Sequence, residues 1–391
     1  MTLAAPTTAE QLREIIAQAA AAGTPLEVIG GGSKRWYGRQ VAARAALSTA
    51  ELAGVVDYQP AELICVTRPG TPLAVLEKLL DESGQMLAFE PPHWGPGATI
   101  GGVVACNLSG PRRIKAGAAR DHLLGFQAVT GRGELIRGGG RVVKNVTGYD
   151  LSKLMCGSFG TLAVFSELCL KVLPKPETER TLAVELPEAE APALLRAVSR
   201  SPHEPSALAC LPPDVARPPA LAGLGAGKAL ALIRLDGPES SVAHRCAEVA
   251  RMTPGASHRL EAEASRALWR AVRELEPLPL REGERLWRIS VAPTEGPRVV
   301  AALRAAAPVR AFQDWAGGLV WAALPAAADG AVHAAARAAG GHARLLRAGN
   351  APAPEDVFAP LDAGPWRLHE NLKRAFDPQG VLNPGRMYAR L

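Results

Sequence analysis

No C-x-x-C pair occurs in the sequence, and the six cysteines (Cys65, Cys106, Cys156, Cys169, Cys210 and Cys246) are scattered through apolar segments. Neither an iron–sulfur cluster nor a structural zinc site can be built from that spacing, so they read as reduced, buried thiols. No stretch approaches the roughly 18 consecutive apolar residues of a membrane span. The opening MTLAAPTTAEQLREII also lacks the basic-then-apolar order of a signal peptide, and a cytosolic chain is expected. The familiar nucleotide motifs are missing too. No G-x-G-x-x-G follows a strand, and Gly225-Ala226-Gly227-Lys228 has neither the upstream glycine nor the Ser or Thr of a P-loop. The basic excess, 44 − 38 = +6, is spread over 391 residues; it leans toward anionic ligands without indicating nucleic acid.

What is present is ordinary for a globular protein, with 48% apolar and 21% charged residues. A length of 391 residues exceeds what one core usually serves, so two domains are expected. Thirty-nine glycines and 33 prolines predict many tight turns.

An amphipathic helix opens the chain, with Thr8 and Gln11 placed for a capping box, Leu12, Ile15, Ile16 and Ala19 on one face, and Gly23 as its stop. The strand Leu26–Ile29 then runs into Gly30-Gly31-Gly32-Ser33-Lys34. A second strand, Leu63–Thr67, precedes Pro69-Gly70-Thr71-Pro72 and a helix that Thr71 should cap. Further on come the cluster Gly95–Gly102, a hairpin of Phe126–Thr130 and Glu134–Arg137, a helical patch Leu151–Met155, the turn Gly157–Thr161 and a strand from Leu162 to Leu173. Pro174-Lys175-Pro176 is a natural boundary. Beyond it, helical runs (Ala191–Val198, Ala243–Arg251, Ala264–Leu275) alternate with strands (Ala229–Leu235, Leu286–Val291, Leu319–Leu324), as in a small open-faced sandwich. A helix Trp366–Phe376 and a turn-rich tail close the chain.

A strand that ends in glycines exposes successive backbone N–H groups, and such concavities bind phosphate oxygens. Four of these segments fall before residue 162: Gly30–Lys34, Gly97–Gly102, Ser109-Gly110 and Gly157–Thr161. One extended ligand accounts for them better than four unrelated turns. Between Arg112 and Lys144, eight basic residues face two acidic ones, which reads equally as a solvated face or as a hold on anionic groups.

Taken together, GGGSKRWYG (Gly30–Gly38), Arg68-Pro69-Gly70, Thr99–Gly102, Arg120-Asp121, Val143–Asp150 and Gly157–Thr161 ahead of Glu167 resemble an FAD-binding domain of the vanillyl-alcohol-oxidase (PCMH) type. Ser109–Arg113, KNVTGYDLSK (Lys144–Lys153) and the tail FDPQGVLNPGR (Phe376–Arg386) are similar to the FAD-binding E subunits of bacterial glycolate oxidases. The resemblance implies an α+β protein in three parts: a two-subdomain FAD-binding fold over 1–174, a smaller sandwich-like cap over 175–340, and a segment over 341–391 that packs back on the FAD domain. It implies that Gly30, Gly31, Gly32, Ser33 and Lys34, with Gly97, Thr99, Ile100, Gly101 and Gly102, flank the FAD diphosphate. Ser109, Gly110 and Asp121 would lie nearby, Gly157, Gly160, Thr161 and Val164 along the adenine and flavin side, and Arg386 in the tail would join them. Some relatives of this fold attach the flavin through a histidine in the first glycine loop. Here that loop holds Lys34, Arg35 and Trp36, so non-covalent FAD is expected.

The implied partners are a larger FAD subunit and an iron–sulfur subunit, and the implied substrate is a small 2-hydroxy acid, with peripheral attachment to a membrane left open. Oxidising such an acid needs a base and a cation for the carboxylate. His93, His369 and Lys144 are the candidates for the chemistry, and Arg112, Arg113, Lys115 and Lys144 for the anion. For both imidazoles a satisfied structural role is the ordinary alternative, and Tyr149 reads as a core aromatic. Catalytic hydroxy-acid dehydrogenases of this fold carry a Gly-Glu-His-Gly segment late in the chain, whereas Arg347-Ala348-Gly349-Asn350 stands in that region here. A self-sufficient FAD oxidase and a non-catalytic assembly subunit are the competing readings.

Overall fold

The computed structural model describes residues 2–141, 148–350 and 352–391. They form two compact units: residues up to Ser109 with Gly117–Lys175 and Pro360–Leu391, and Gly110–Ala116 with Pro176–Ala359.

The first unit has two larger sheets and a two-stranded ribbon of Gln85–Met86 with Leu173–Pro174. Thr2–Ala4, Ala45–Ser48 and Leu26–Ile29 form a parallel one, with Ala45–Ser48 in the middle. The antiparallel one has the order Val55–Gln59, Ile64–Thr67, Ala163–Lys171, Leu123–Thr130, Leu135–Gly139. The helix Ala9–Ala21 supplies the shared core, because Leu12, Ile16 and Ala19 lie on one face. They pack with Leu26 and Leu47 of the first sheet, Val129 and Val164 of the second, and Val381 and Leu382 of the tail. The expected hairpin is Leu123–Thr130 with Leu135–Gly139, and the helical patch is Leu151–Met155. The expected strand from Leu162 ends early, at Lys171, and Leu173–Pro174 pairs instead with Gln85–Met86.

Thr8 caps the first helix by accepting from the Gln11 N–H at 3.2 Å, but Gln11 Oε1 accepts from the N–H of Thr7, not of Thr8. The other expected cap is corrected. Helix Leu73–Glu82 has Pro72 at its N-cap, and Thr71 Oγ1 turns back to Arg68 O at 2.8 Å and Thr67 Oγ1 at 2.9 Å, tying the preceding loop. Tyr149 is corrected as well. It is 95% exposed, standing in the loop ahead of Asp150, which caps Leu151–Met155.

The second unit is one eight-stranded antiparallel sheet, ordered Ser257–Leu260, Thr178–Leu186, Ala229–Gly237, Ala207–Leu211, Arg310–Asp314, Leu319–Pro325, Glu284–Ser290, His342–Arg347. Alternate residues Leu182, Val184 and Leu186, with Ala229, Ala231, Ile233 and Leu235, meet the helices Ala191–Ser199 and Glu239–Met252. The helix Ala262–Arg273 covers the other face, where Trp269 Nε1 donates to Thr181 Oγ1 at 2.8 Å and Ser265 Oγ bonds Glu179 at 2.7 Å. The segment Gly110–Ala116 is anchored in this unit. Arg112 is buried against Asp236 with Glu179 at 4.0 Å, Lys115 pairs with Glu204, and Trp315 Nε1 donates to Gly110 O at 3.1 Å.

Candidate functional site

The parallel sheet of the first unit delivers its strand Leu26–Ile29 directly into Gly30–Lys34, and a second glycine loop meets it backbone to backbone. A Cβ built on Gly31 would stand 1.7 Å from Gly97 O, and one on Gly97 would stand 2.5 Å from Gly31 O. Gly30 is likewise 2.6 Å from Thr99 Oγ1 by the same measure. Only glycine permits this approach. The second loop is fixed from behind by main-chain bonds: Gly101 N–H to Pro69 O at 2.8 Å, Ile100 N–H to Thr71 O at 3.1 Å and Leu73 N–H to Ala98 O at 2.8 Å. Gly101 also packs against Pro69, where a Cβ would come within 2.5 Å.

Between these loops lies a cleft open to solvent, with about 760 Å³ of non-atom space when its mouth is included. Gly30, Gly31, Gly32, Ser33, Lys34, Thr99, Gly101, Gly102, Gly160, Val164 and Arg386 all line it. Gly97 supports it by touching Gly31, and Ile100 is buried behind it in the helix Ile100–Cys106. Gly157 and Thr161 border a second cavity of about 560 Å³, together with Leu154, Ser158, His369 and Lys373. Ser109, Gly110 and Asp121 line neither cavity. Ser109 Oγ accepts from the Ala119 N–H at 2.9 Å, and Asp121 Oδ2 from the Ala118 N–H at 2.9 Å, so both act as local turn bonds.

The tail supplies what spacing alone did not. Asn383 Oδ1 accepts from the Val28 N–H at 2.7 Å, and its Nδ2 donates to Phe159 O at 2.8 Å. It therefore joins the strand before the first glycine loop to the turn holding Gly160. Lys373 Nζ makes three bonds of 2.7–2.8 Å, to Thr161 O, Asp377 Oδ2 and Leu382 O. Asp377 in turn accepts from the Val381 and Leu382 N–H groups at 3.0 and 2.8 Å, so every donor of the ammonium is used. Arg386 Nη2 donates to Lys34 O at 2.9 Å and Nη1 to Arg39 O at 3.2 Å. Burial lowers the pKa of both Lys373 and Arg386. Lys34 Nζ reaches Ser33 Oγ at 2.9 Å and His93 O at 3.2 Å. At the rim, Glu27 is 6% exposed and binds Arg35 through two bonds of 2.9 and 2.6 Å. A carboxylate inside an apolar strand, eight residues before an arginine, was the signal for this pair.

Neither histidine candidate puts its ring in the main cleft. His93 Nε2 is 2.8 Å from Glu77 Oε2 on the helix Leu73–Glu82, and His369 Nδ1 bonds Pro365 O at 2.9 Å while its ring packs edge-on against Tyr388. Lys144 lies outside the described residues. Of the anion candidates, Arg112 and Lys115 are engaged by carboxylates and Arg113 lies 4.3 Å over the Trp315 ring. Burial pushes the Cys65 and Cys156 thiols up to about 12, which suits inert core thiols. Among the described residues no group of three or more His, Cys, Asp or Glu side chains is placed to hold a metal.

Comparison with known proteins agrees with this geometry. An FAD binding domain model matches residues 2–139, and the model of the C-terminal domain of FAD linked oxidases matches residues 358–387. Alkyldihydroxyacetonephosphate synthase superposes with a TM-score of 0.73 at 17% identity, covering 98% of this chain and 76% of its own. The 4-ethylphenol oxidase of Gulosibacter chungangensis gives 0.71 at 15% identity, covering 99% and 89%. The fold is therefore the PCMH-type FAD-binding fold, and FAD is the cofactor. Glycolate oxidase subunit GlcD of Bacillus subtilis is 34% identical over 128 residues, 33% of this chain and 27% of that protein. Glycolate oxidase subunit GlcE of Escherichia coli K12 is 39% identical over 382 residues, 98% of each chain, so this chain belongs to the GlcE family of FAD-linked oxidase subunits.

Proposed function

We propose that the chain is the second flavin subunit of a complex that oxidises glycolate to glyoxylate, holding FAD non-covalently and passing electrons to an iron–sulfur partner. The observation that carries this reading is the contact of Gly31 with Gly97, which makes the cleft floor bare main chain. A diphosphate fits such a floor, because backbone dipoles meet its charge without a carboxylate in competition, and the one acid at the rim, Glu27, is neutralised by Arg35. In this reading Gly30–Lys34 and Thr99–Gly102 hold the diphosphate, with Gly97 and Ile100 supporting, and Gly160, Val164 and Arg386 close the cleft. Gly157 and Thr161 border the neighbouring cavity instead, and Ser109, Gly110 and Asp121 line neither. Bound FAD supplies the hydride acceptor that conversion of a 2-hydroxy to a 2-oxo acid requires.

No histidine among the described residues lines the cleft, which supports non-covalent attachment. A chain whose cysteines are buried and dispersed needs its cluster on another polypeptide. No helix among the described residues is long and apolar enough to cross a membrane, and delivery of electrons to a membrane acceptor would run through partners or peripheral attachment.

The test is purification alone and with co-expressed partner subunits, followed by acid precipitation. The expected results are a flavin spectrum, flavin released into the supernatant, iron only in the partnered preparation, and glycolate oxidation only there. A chain that refuses added FAD, or an active complex without iron, would overturn it. Dye-coupled turnover by the isolated chain would make it a self-sufficient oxidase.

A further inference from the structure

The turn Gly157–Thr161 is a wall between two spaces. Phe159 and Gly160 line the glycine-loop cleft, whereas Gly157, Ser158 and Thr161 line the second cavity. Gly157, Phe159 and Gly160 take φ of 93°, 56° and 67°, a left-handed run that lets so short a segment present residues in both directions. The cavity's other wall is the tail helix Ala363–Phe376 and residues that follow it, all within the first unit. Its 560 Å³ includes an open mouth, and the enclosed part is about 120 Å³, close to the roughly 150 Å³ of an apolar cavity that accepts a benzene ring. The enclosed space suits one ring.

Leu154, Leu162, Leu372, Met387 and Leu391 make the lining largely apolar. Four polar side chains interrupt it, and two of them are engaged elsewhere. Lys373 Nζ directs its three donors to Thr161 O, Asp377 Oδ2 and Leu382 O, and Thr161 Oγ1 donates to Ser158 O at 2.6 Å. One lone pair and one hydroxyl are left. His369 Nδ1 lies 2.9 Å from Pro365 O; a carbonyl only accepts, so Nδ1 carries the proton, and in the neutral ring Nε2 has the lone pair. Ser158 is 6% exposed, and its Oγ meets no hydrogen-bond partner among the described residues. A buried hydroxyl without a bond costs stability, which a bound polar atom restores. No Asp or Glu among the described residues lines the cavity, and its ammonium has no donor left over. A charged ligand would therefore give up hydration without gaining an ion pair.

We propose that this cavity binds a neutral one-ring phenol, with the ring among the leucines, its hydroxyl bonded to Ser158 Oγ, and His369 Nε2 as the acceptor for its proton. The site is separate from the glycine-loop cleft and does not rest on the function proposed above. Calorimetric titration of the full chain, FAD-free and FAD-loaded, with phenol, toluene and benzoate at neutral pH tests it. Phenol should saturate one site in both forms. Toluene, which has the ring without the hydroxyl, should bind about three- to tenfold more weakly, and benzoate at least tenfold more weakly. Ser158→Ala removes an atom that bonds nothing, so it should melt as the wild type does and bring phenol close to the toluene value. Leu372→Trp, which fills the cavity, should abolish binding of both, and if that variant fails to fold, Ser158→Ala decides alone. Benzoate binding as tight as phenol, undiminished phenol affinity in Ser158→Ala or in a folded Leu372→Trp chain, or no saturable binding would overturn the site. Exclusion of phenol by bound FAD would overturn it too, by making the cavity part of the flavin site. Phenol binding by a chain that takes no FAD would sink the proposed function and leave this site standing.

Discussion

Gly31 is the residue on which the cleft turns. Its hypothetical Cβ overlaps a carbonyl oxygen of the facing loop, a collision with main chain that no rotamer can relieve. Gly31→Ala should therefore lower stability by about 1–3 kcal/mol, the usual range for overpacking, and should abolish flavin retention by parting the two loops. Gly364, with nothing within 4 Å and a place inside the tail helix, is the matched control. Gly364→Ala should keep the flavin and melt no lower, since alanine favours a helix. Absorbance at the flavin band and a thermal melt check both, and a Gly31→Ala chain with normal flavin content would contradict the arrangement. The glycine itself was legible in the sequence, but its partner was not: nothing local to Gly30–Lys34 says that Gly97 is what it touches.

Among elements, the tail carries more of the first unit than its position suggests. The helix Ala363–Phe376 buries a single residue, Lys373, yet that ammonium and Asp377 are the buried ion pair that holds the FDPQGVLNPGR turn against Leu26 and Thr161. Removing one member strands a buried charge. Lys373→Met should cost about 3–5 kcal/mol, and pairing it with Asp377→Leu should recover part of that loss; chemical denaturation of the two variants measures the difference. The motif was visible as a string and its helix as a pattern, whereas a lysine as the buried residue contradicts the apolar periodicity from which helix faces are read. The edge strand His342–Arg347 of the second unit gives a pH prediction of definite sign. His342 has a folded pKa of about 4, below its ordinary 6.5. The unfolded chain then takes the proton first, and stability present above about pH 6.5 is lost as pH falls toward 4. The loss is moderated by the solvent reaching this edge strand. His342→Asn should flatten the second unit's stability between those limits, and an unchanged slope in that variant would place the titration elsewhere.

At the scale of the molecule, the Pro174–Pro176 break lies where one segment of the first unit ends, at Lys175. The passage of Gly110–Ala116 into the second unit was hidden, because Ser-Gly-Pro-Arg-Arg reads as a surface turn until Asp236 and Glu179, more than sixty residues away, are seen around Arg112. The chain crosses between the units at Ser109, Ala116, Lys175 and Ala359, so neither is a simple terminal piece, yet each has its own sheet and its own core. Ligands should therefore act on them unequally. A ligand confined to the native state of one unit stabilises that unit by about 2.7 kcal/mol at a hundredfold excess over its dissociation constant. Scanning calorimetry should resolve two transitions, with FAD raising only the one that Gly31→Ala lowers. If FAD moves both transitions equally, the units melt together and the assignment of the flavin to the first unit fails.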